Sequence, residues 1–248
     1  MTPERLARIN EMLDNRQVDL TVCLDKVHKT NNIAATVRTA DSVGVHQIHA
    51  VMPEDSLWVS GNTSSGSHRW VNTVKHVTYQ EAYEQFRSQG MQVLATTFSD
   101  TAVDFREVDY TKPTVIVLGN ERDGVSPEAI ESADQHIIIP MVGMVQSLNV
   151  SVAGALILYE AQRQRQEAGM YNNRRLDHQY CQTKLFEQGH PIYAKACRRK
   201  NIPYPAIDEQ GQIDADEQWW DRMRAPDPEA LDSDEQNSNE QDSNDLRS

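Results

Sequence analysis

From Leu20 to Gln166 the sequence alternates short apolar runs with amphipathic stretches. This alternation restricts the chain to an α/β layer built on a mostly parallel sheet flanked by helices. "LTVCLDKV" (20–27), "VHQIHAV" (45–51), "VKHVTY" (74–79), "MQVLATTF" (91–98), "TVIVLG" (114–119) and "HIIIPM" (136–141) read as strands. The last two are near-continuous apolar runs, the pattern of strands buried on both faces. "TNNIAATVRTADSVG" (30–44) reads as a helix with Ile33, Val37 and Ala40 on one face, ended by Gly44. "QEAYEQFRSQG" (80–90) and "SPEAIESAD" (126–134) read as further helices, the second capped by Ser126. A long helix follows the turn after Pro140. In such sheets ligands bind outside the carboxyl ends of the strands. The chemistry is therefore expected in Lys26–Arg38, Thr96–Ser99, Gly119–Gly124 and Pro140–Asn149.

The flanks have a different character. Thr2-Pro3 followed by Leu6, Ile9 and Leu13 predicts an amphipathic helix over 3–16. Beyond Gln166 the pattern suggests two short basic helices, then an extended arm and a terminal helix with Trp219 and Trp220. The expected division is an N-terminal helix (1–17), a central domain (18–166), a basic helical extension (167–225) and an acidic tail (226–248). "SGNTSSGSHRW" (60–70) is expected to be a mobile loop. The tail carries eight acidic residues against one arginine and few apolar side chains, so it is expected to be disordered. A formal net charge of −13 argues at first against a nucleic-acid partner. Yet residues 163–200 hold nine Lys or Arg against three acidic residues, a local basic footprint of the kind RNA binders use. No run is long enough to span a bilayer, and the N-terminus lacks an apolar signal region. Cys23, Cys181 and Cys197 lack metal-ligand spacing, so no metal is expected and a cytoplasmic setting is.

Polar groups concentrate at four strand ends. "NNIAATVRTADSVG" places Asn32 and Arg38 on an otherwise small, apolar helix. "LGNERDGVS" puts Glu121 between two glycines in a turn suited to close approach of a ligand. "IPMVGMVQSLNV" interposes Gly143, Gln146, Ser147 and Asn149 between a strand and a helix. Apolar side chains beside that polar turn could hold an adenosine. Thr96 stands at the edge of the same crevice. A phosphate loop, a zinc motif, a nucleophile elbow and the dinucleotide fingerprint G-x-G-x-x-G are all missing. The histidines at 28, 46, 49, 68 and 76 share no motif spacing, so each is expected to be structural.

In order and separation, "NNIAATVRTADSVG", "VLGNERDGVS" and "IIIPMVGMVQSLNVSVAGALILYE" resemble the three motifs of the SPOUT-class RNA ribose methyltransferases. "RLARINEML" and "DLTVCLDKVHK" extend the likeness over roughly 1–224. Within the class the chain is most similar to members acting on a guanosine of the tRNA D-loop, position 18. The resemblance implies a C-terminal deep trefoil knot around 114–160, S-adenosylmethionine as methyl donor, and a homodimer whose interface helps form the active site. It assigns Arg38 the key catalytic role, with Asn32, Glu121, Ser147 and Asn149 supporting the site. Thr96, Gly119, Ile139 and Leu148 are expected to line the donor pocket.

Such a transfer needs a deprotonated ribose hydroxyl aligned with the methyl group. A guanidinium normally stays protonated. Physical reasoning therefore favours Arg38 as a stabiliser of the developing alkoxide and a phosphate anchor, while the resemblance points toward proton abstraction. Arg5, Arg8 and Arg16 near the N-terminal helix, and Arg163, Arg165, Arg174, Arg198, Arg199 and Lys200 beyond the third motif, are candidate contacts to tRNA phosphates. Ribosomal RNA is the alternative substrate. The short segment before the first strand favours tRNA, because the ribosomal enzymes of this kind often carry a separate N-terminal RNA-binding domain. A non-catalytic RNA-binding protein of the same fold is a further alternative, and the full set of polar motif residues argues against it.

Overall fold

A computed structural model describes residues 1–52 and 69–226. The expected mobile loop lies, except for Arg69 and Trp70, outside the described residues, as does the acidic tail beyond Pro226. The chain divides into two compact units: Asp14–Arg175, and Met1–Leu13 with the chain from Leu176 onward. Residues 1–13 and the described chain from Leu176 thus belong to one unit, and residues 14–17 and 167–175 to the larger one.

The larger unit holds a seven-stranded sheet in the order β3-β2-β1-β6-β4-β7-β5. The strands are β1 (Leu20–Asp25), β2 (Gln47–Val51), β3 (Asn72–His76), β4 (Gln92–Thr96), β5 (Val103–Asp104), β6 (Thr114–Gly119) and β7 (Gln135–Ile138). Every neighbouring pair is parallel. The helices of this unit are α2 (Thr30–Ser42), α3 (Tyr79–Ser88), α4 (Pro127–Ser132) and α5 (Val150–Glu167). The strands sort their side chains with a period of two. Val22, Leu24, Leu94, Ile116 and Leu118 join one core with Ile33 and Val37 of α2 and Ile157 and Leu158 of α5. Cys23, Val93, Ala95, Val115 and Val117 join a second core with Ala82 and Phe86 of α3 and Ala129 of α4. β1 and β6 lie between these layers and are apolar almost throughout, as expected of doubly covered strands.

Local chemistry corrects several expectations. β3 ends at His76 rather than Tyr79, because Thr78 and Glu81 form a capping box that starts α3 early. Only Ile137 of β7 is buried, and the two-residue β5 pairs along just part of its outer edge. Ser126 precedes α4, but its hydroxyl makes no capping bond. Gly44 does follow α2 as expected, with φ of +80° and the Asn15 carbonyl oxygen 2.5 Å from where a Cβ would stand.

The smaller unit contains α1 up to Leu13 (the helix spans Pro3–Asp14), α6 (His178–Gly189), α7 (Pro191–Lys200), a hairpin of β8 (Ala206–Ile207) and β9 (Ile213–Asp214), and α8 (Glu217–Arg224). Phe186, Tyr204 and Trp219 form its aromatic centre, with Trp220 edge-on to Trp219. Only α7 is strongly basic. α6 balances Lys184 against Glu187, so the expectation of two basic helices holds for one.

Candidate active site

The carboxyl ends of β4, β6 and β7 open on a cleft of about 920 Å³. Thr96, Gly119, Ile139 and Leu148 all line it, together with Glu121 and Ser147. Its deeper wall is apolar, formed by Leu118, Val125, Ile137, Val150 and Ile157. The volume falls in the range of small-molecule sites, and the pairing of apolar wall with polar rim is what a nucleoside requires. Thr96 spends its hydroxyl on the Val117 carbonyl at 2.9 Å, so it shapes the cleft rather than offering a donor.

The loop after β6 is closed tightly. The Asn120 side chain accepts the backbone N–H groups of Arg122 and Asp123 at 2.9 and 2.8 Å. The Gly124 N–H returns to the Asn120 carbonyl at 3.0 Å. A Cβ on Gly119 would stand 2.0 Å from the Gly124 carbonyl carbon, so only glycine fits. Glu121 is presented at the tip of this turn.

Three motifs separated in sequence meet there. The Asn149 side chain donates to Asn32 Oδ1 at 3.2 Å, and Asn32 Nδ2 donates to Glu121 Oε1. Lys29 Nζ lies 3.3 Å from Glu121 Oε2. Burial pushes the Glu121 carboxyl up, but the bonds from Asn32 and Lys29 outweigh it and hold it below the usual carboxylate value. Asn149 Oδ1 accepts the N–H and hydroxyl of Ser151 at 2.9 and 2.6 Å, capping α5. One asparagine therefore starts the helix and ties it to α2.

Arg38 is placed differently. It is exposed on α2, makes no hydrogen bond or ion pair among the described residues, and is not part of the cleft wall. Ser147 is likewise exposed, and its hydroxyl has no partner among the described residues. Ser42, one turn beyond Arg38, has its hydroxyl 3.4 Å from that of Tyr159 on α5. Tyr159, Leu156 and Val152 form an exposed apolar row at helical spacing beside that end of α2.

The candidate RNA contacts divide sharply. Arg16 is 1% exposed and is bound to the Val45 carbonyl and to Asp41 at 2.8 and 2.6 Å. Arg165 is fully buried. Its guanidinium reaches the Tyr110, Asp19 and Lys112 carbonyls, Gln17 Oε1 and Asp19 Oδ1. The expectation that these two meet phosphates is corrected: their donors are consumed inside the fold. Arg8 pairs with Glu11, Arg163 with Glu160 and Glu167, Arg174 with Asp14 and Arg198 with Glu187. Arg5 donates to the Gln188 carbonyl at 2.8 and 2.6 Å. Arg199 is exposed on α7. Lys200 caps the carboxyl end of α8, donating to the Met223 carbonyl at 2.7 Å.

Sequence reasoning missed Lys29, although its place one turn before Ile33 at the head of the motif was visible. It also missed Phe98 and Met144, which stand 91% and 99% exposed along the cleft. No group of three or more His, Cys, Asp or Glu suited to a metal occurs among the described residues, and no described helix is long and apolar enough to cross a membrane.

Residues 19–159 match the SpoU rRNA methylase family, and 163–216 match the C-terminal SpoU rRNA methylase model. The chain is 55% identical over 227 residues to the tRNA (guanosine(18)-2′-O)-methyltransferase of Escherichia coli K12, covering 91% of this chain and 99% of that one. The crystal structure of the Aquifex aeolicus TrmH/SpoU tRNA modifying enzyme superposes with a TM-score of 0.69 at 46% identity, over 76% of this chain and 96% of that chain. The SpoU methyltransferase AviRb from Streptomyces viridochromogenes, solved in complex with the cofactor AdoMet, aligns over 62% of both chains at 28% identity, with a TM-score of 0.52.

Proposed function

The chain belongs to the SpoU methylase family, and from that membership we propose that it transfers a methyl group from S-adenosylmethionine to the ribose 2′-hydroxyl of guanosine 18 in tRNA. The observation that carries this reading is the meeting of three motifs, Asn149 to Asn32 to Glu121, beside a cleft walled by Thr96, Gly119, Ile139 and Leu148. Near-complete coverage of the Escherichia coli tRNA enzyme favours tRNA over ribosomal RNA.

The residues present suit the donor. Apolar side chains at Leu118, Ile137 and Ile157 can face an adenine, and the unpartnered Ser147 hydroxyl supplies a polar edge. When bound, S-adenosylmethionine supplies an electrophilic methyl on a sulfonium. The tight Gly119–Gly124 turn keeps Glu121, held as a carboxylate, beside that cleft. Arg38 remains a charged donor, and its part is to anchor a phosphate and stabilise the alkoxide forming on the ribose.

Because Arg38 is outside its own cleft and lies beside the exposed row Val152, Leu156 and Tyr159, we assign that row to a homodimer interface and Arg38 to the cleft of the second copy. The same reading carries the trefoil knot over 114–160, supported by the passage of the chain from β7, next to the edge strand β5, back to α5, which packs on α2 and central β6. Arg5, Arg8, Arg163, Arg174, Arg198 and Arg199 remain the candidate phosphate contacts, with Lys200 in a supporting place. A cytoplasmic setting goes with a tRNA substrate and with three free cysteines.

Labelled donor and unmodified tRNA test the reading directly. The label is expected on the 2′-oxygen of guanosine 18. Mapping it to another nucleotide, or finding it only in ribosomal RNA, overturns the assignment.

A further inference from the structure

Two anomalies coincide at the end of β1. Asp25 is fully buried, yet its Oδ1 has no hydrogen-bond partner. Its one bond runs from the Ser126 N–H to Oδ2, at 2.7 Å across 101 residues. The Ser126 hydroxyl is also buried and unpartnered. A buried carboxylate with a single neutral donor and no cation is unfavourable, and polar groups left in that state need a reason. The next residue, Lys26, has φ of +54°, a left-handed conformation that a lysine adopts only when its surroundings enforce it. Strain and desolvation are thus both stored within two residues, at the strand end that leads into α2.

Asp25 also meets the loop of Glu121 at both ends, once through its backbone and once through its side chain. It pairs in register with Gly119, where the loop leaves β6. Through its carboxylate it holds Ser126, where the loop enters α4. Between those points lie Gly119, Asn120, Glu121, Asp123, Gly124 and Val125, all in the cleft wall. The Ser126 side chain makes no capping bond to α4, and the carboxylate from β1 instead accepts the N–H of Ser126 itself.

We infer that Asp25 is a positioning residue for the methyl donor. It clamps the 119–126 loop so that the loop backbone faces the cleft and Glu121 reaches Asn32. The clamp is the hydrogen bond, not the charge. This rests on the proposed reading of the cleft as the donor site.

Calorimetric titration of the full chain with S-adenosylmethionine tests it. The wild type binds, Asp25→Ala weakens binding roughly ten- to hundredfold by releasing the loop, and Asp25→Asn stays near wild type because its amide oxygen still accepts the Ser126 N–H. Ser126→Pro breaks the same bond from the other side: φ at Ser126 is −63°, which proline adopts, and the N–H is lost together with a hydroxyl that makes no capping bond. It should match Asp25→Ala, and it decides the question alone if Asp25→Ala does not fold. Binding of tRNA should change little in any variant. Donor affinity unchanged in Ser126→Pro, or lost equally in Asp25→Asn and Asp25→Ala, overturns the inference. Failure of the wild type to bind the donor overturns instead the reading of the cleft.

Discussion

The two ends of the sheet of the larger unit are built on opposite rules. At the amino ends of β1 and β6, Arg165 spends its whole guanidinium on Tyr110, Gln17, Asp19 and Lys112, and Arg175 adds a second cation to Asp19 at 2.8 Å. At the carboxyl ends, Arg38 has no partner among the described residues, Ser147 has none, and Asp25 is half-satisfied. One arginine is a strut and the other is held ready. Stability is concentrated at the end away from the cleft, and unsatisfied hydrogen-bonding capacity at the cleft end, where a substrate can use it.

The largest expected effect comes from breaking the strut. Arg165→Ala leaves the buried Tyr110 carbonyl and Gln17 Oε1 without their donor and takes one of two cations from Asp19, while Thr114 still serves the Asp19 and Lys112 carbonyls, and it should lower stability by about 3–5 kcal/mol. Burial pushes Asp19 up, but the bonds and charges of Arg165 and Arg175 outweigh it and depress its carboxyl. A carboxyl depressed in the folded state contributes stability above its unfolded value of about 3.9, and that stability is lost as pH falls through the folded value. Urea midpoints should therefore differ most between wild type and Arg165→Ala near neutral pH, and the gap should narrow below about pH 4. A gap that is constant with pH would show that Asp19 is not the partner that matters.

Next is the free arginine. Arg38→Ala should reduce kcat about a hundred- to a thousandfold with little change in melting temperature or donor affinity, because it removes no hydrogen bond or ion pair among the described residues. The comparison sharpens further if Arg38 serves a second copy. Mixing Arg38→Ala with Gly119→Val, each inactive alone, should restore activity by assembling one intact cleft with one intact arginine. No recovery after co-refolding would return Arg38 to its own cleft. Full activity in Arg38→Lys, with a pH profile displaced to lower values, would make the side chain a base rather than an alkoxide stabiliser.

How much of this contrast could be read in advance depends on what leaves a pattern. The α/β layer was legible because period-two and period-3.6 runs alternate, and β1 and β6 sit where their apolar runs require. β5 was not, because two residues carry no period. Thr96 and Gly119 were legible as residues at strand ends, whereas Ile139 and Leu148 were expected as walls only from the resemblance of the third motif. Charge counting failed at Arg165, which the basic stretch 163–200 absorbed. The overlooked signal was phase: Leu158, Ala161 and Arg165 share the inward row of α5, while Arg163 falls outside it. Arg16 follows the end of α1, where no helical phase applies, so its burial had no signature. Asp25 left a small one, a carboxylate ending an otherwise apolar strand.

Arg163 supplies the mildest test, because it lies two residues from Arg165 with the opposite surroundings. It is exposed, and its bonds to the partly buried Glu160 and the exposed Glu167 are pairs within one helix. Such pairs contribute about 0.3–0.5 kcal/mol each, so Arg163→Gln should shift the urea midpoint only slightly. If its guanidinium exchanges those carboxylates for a tRNA phosphate, affinity should fall in a uniform way across tRNAs. The slope of log affinity against log salt should then drop by about 0.7–0.9, the share of one phosphate. An unchanged slope would remove Arg163 from the RNA surface and leave that task to Arg5, Arg8 and the basic face of α7. A large loss of stability would instead make it a second strut, and the division between the inward and outward arginines of α5 would fail.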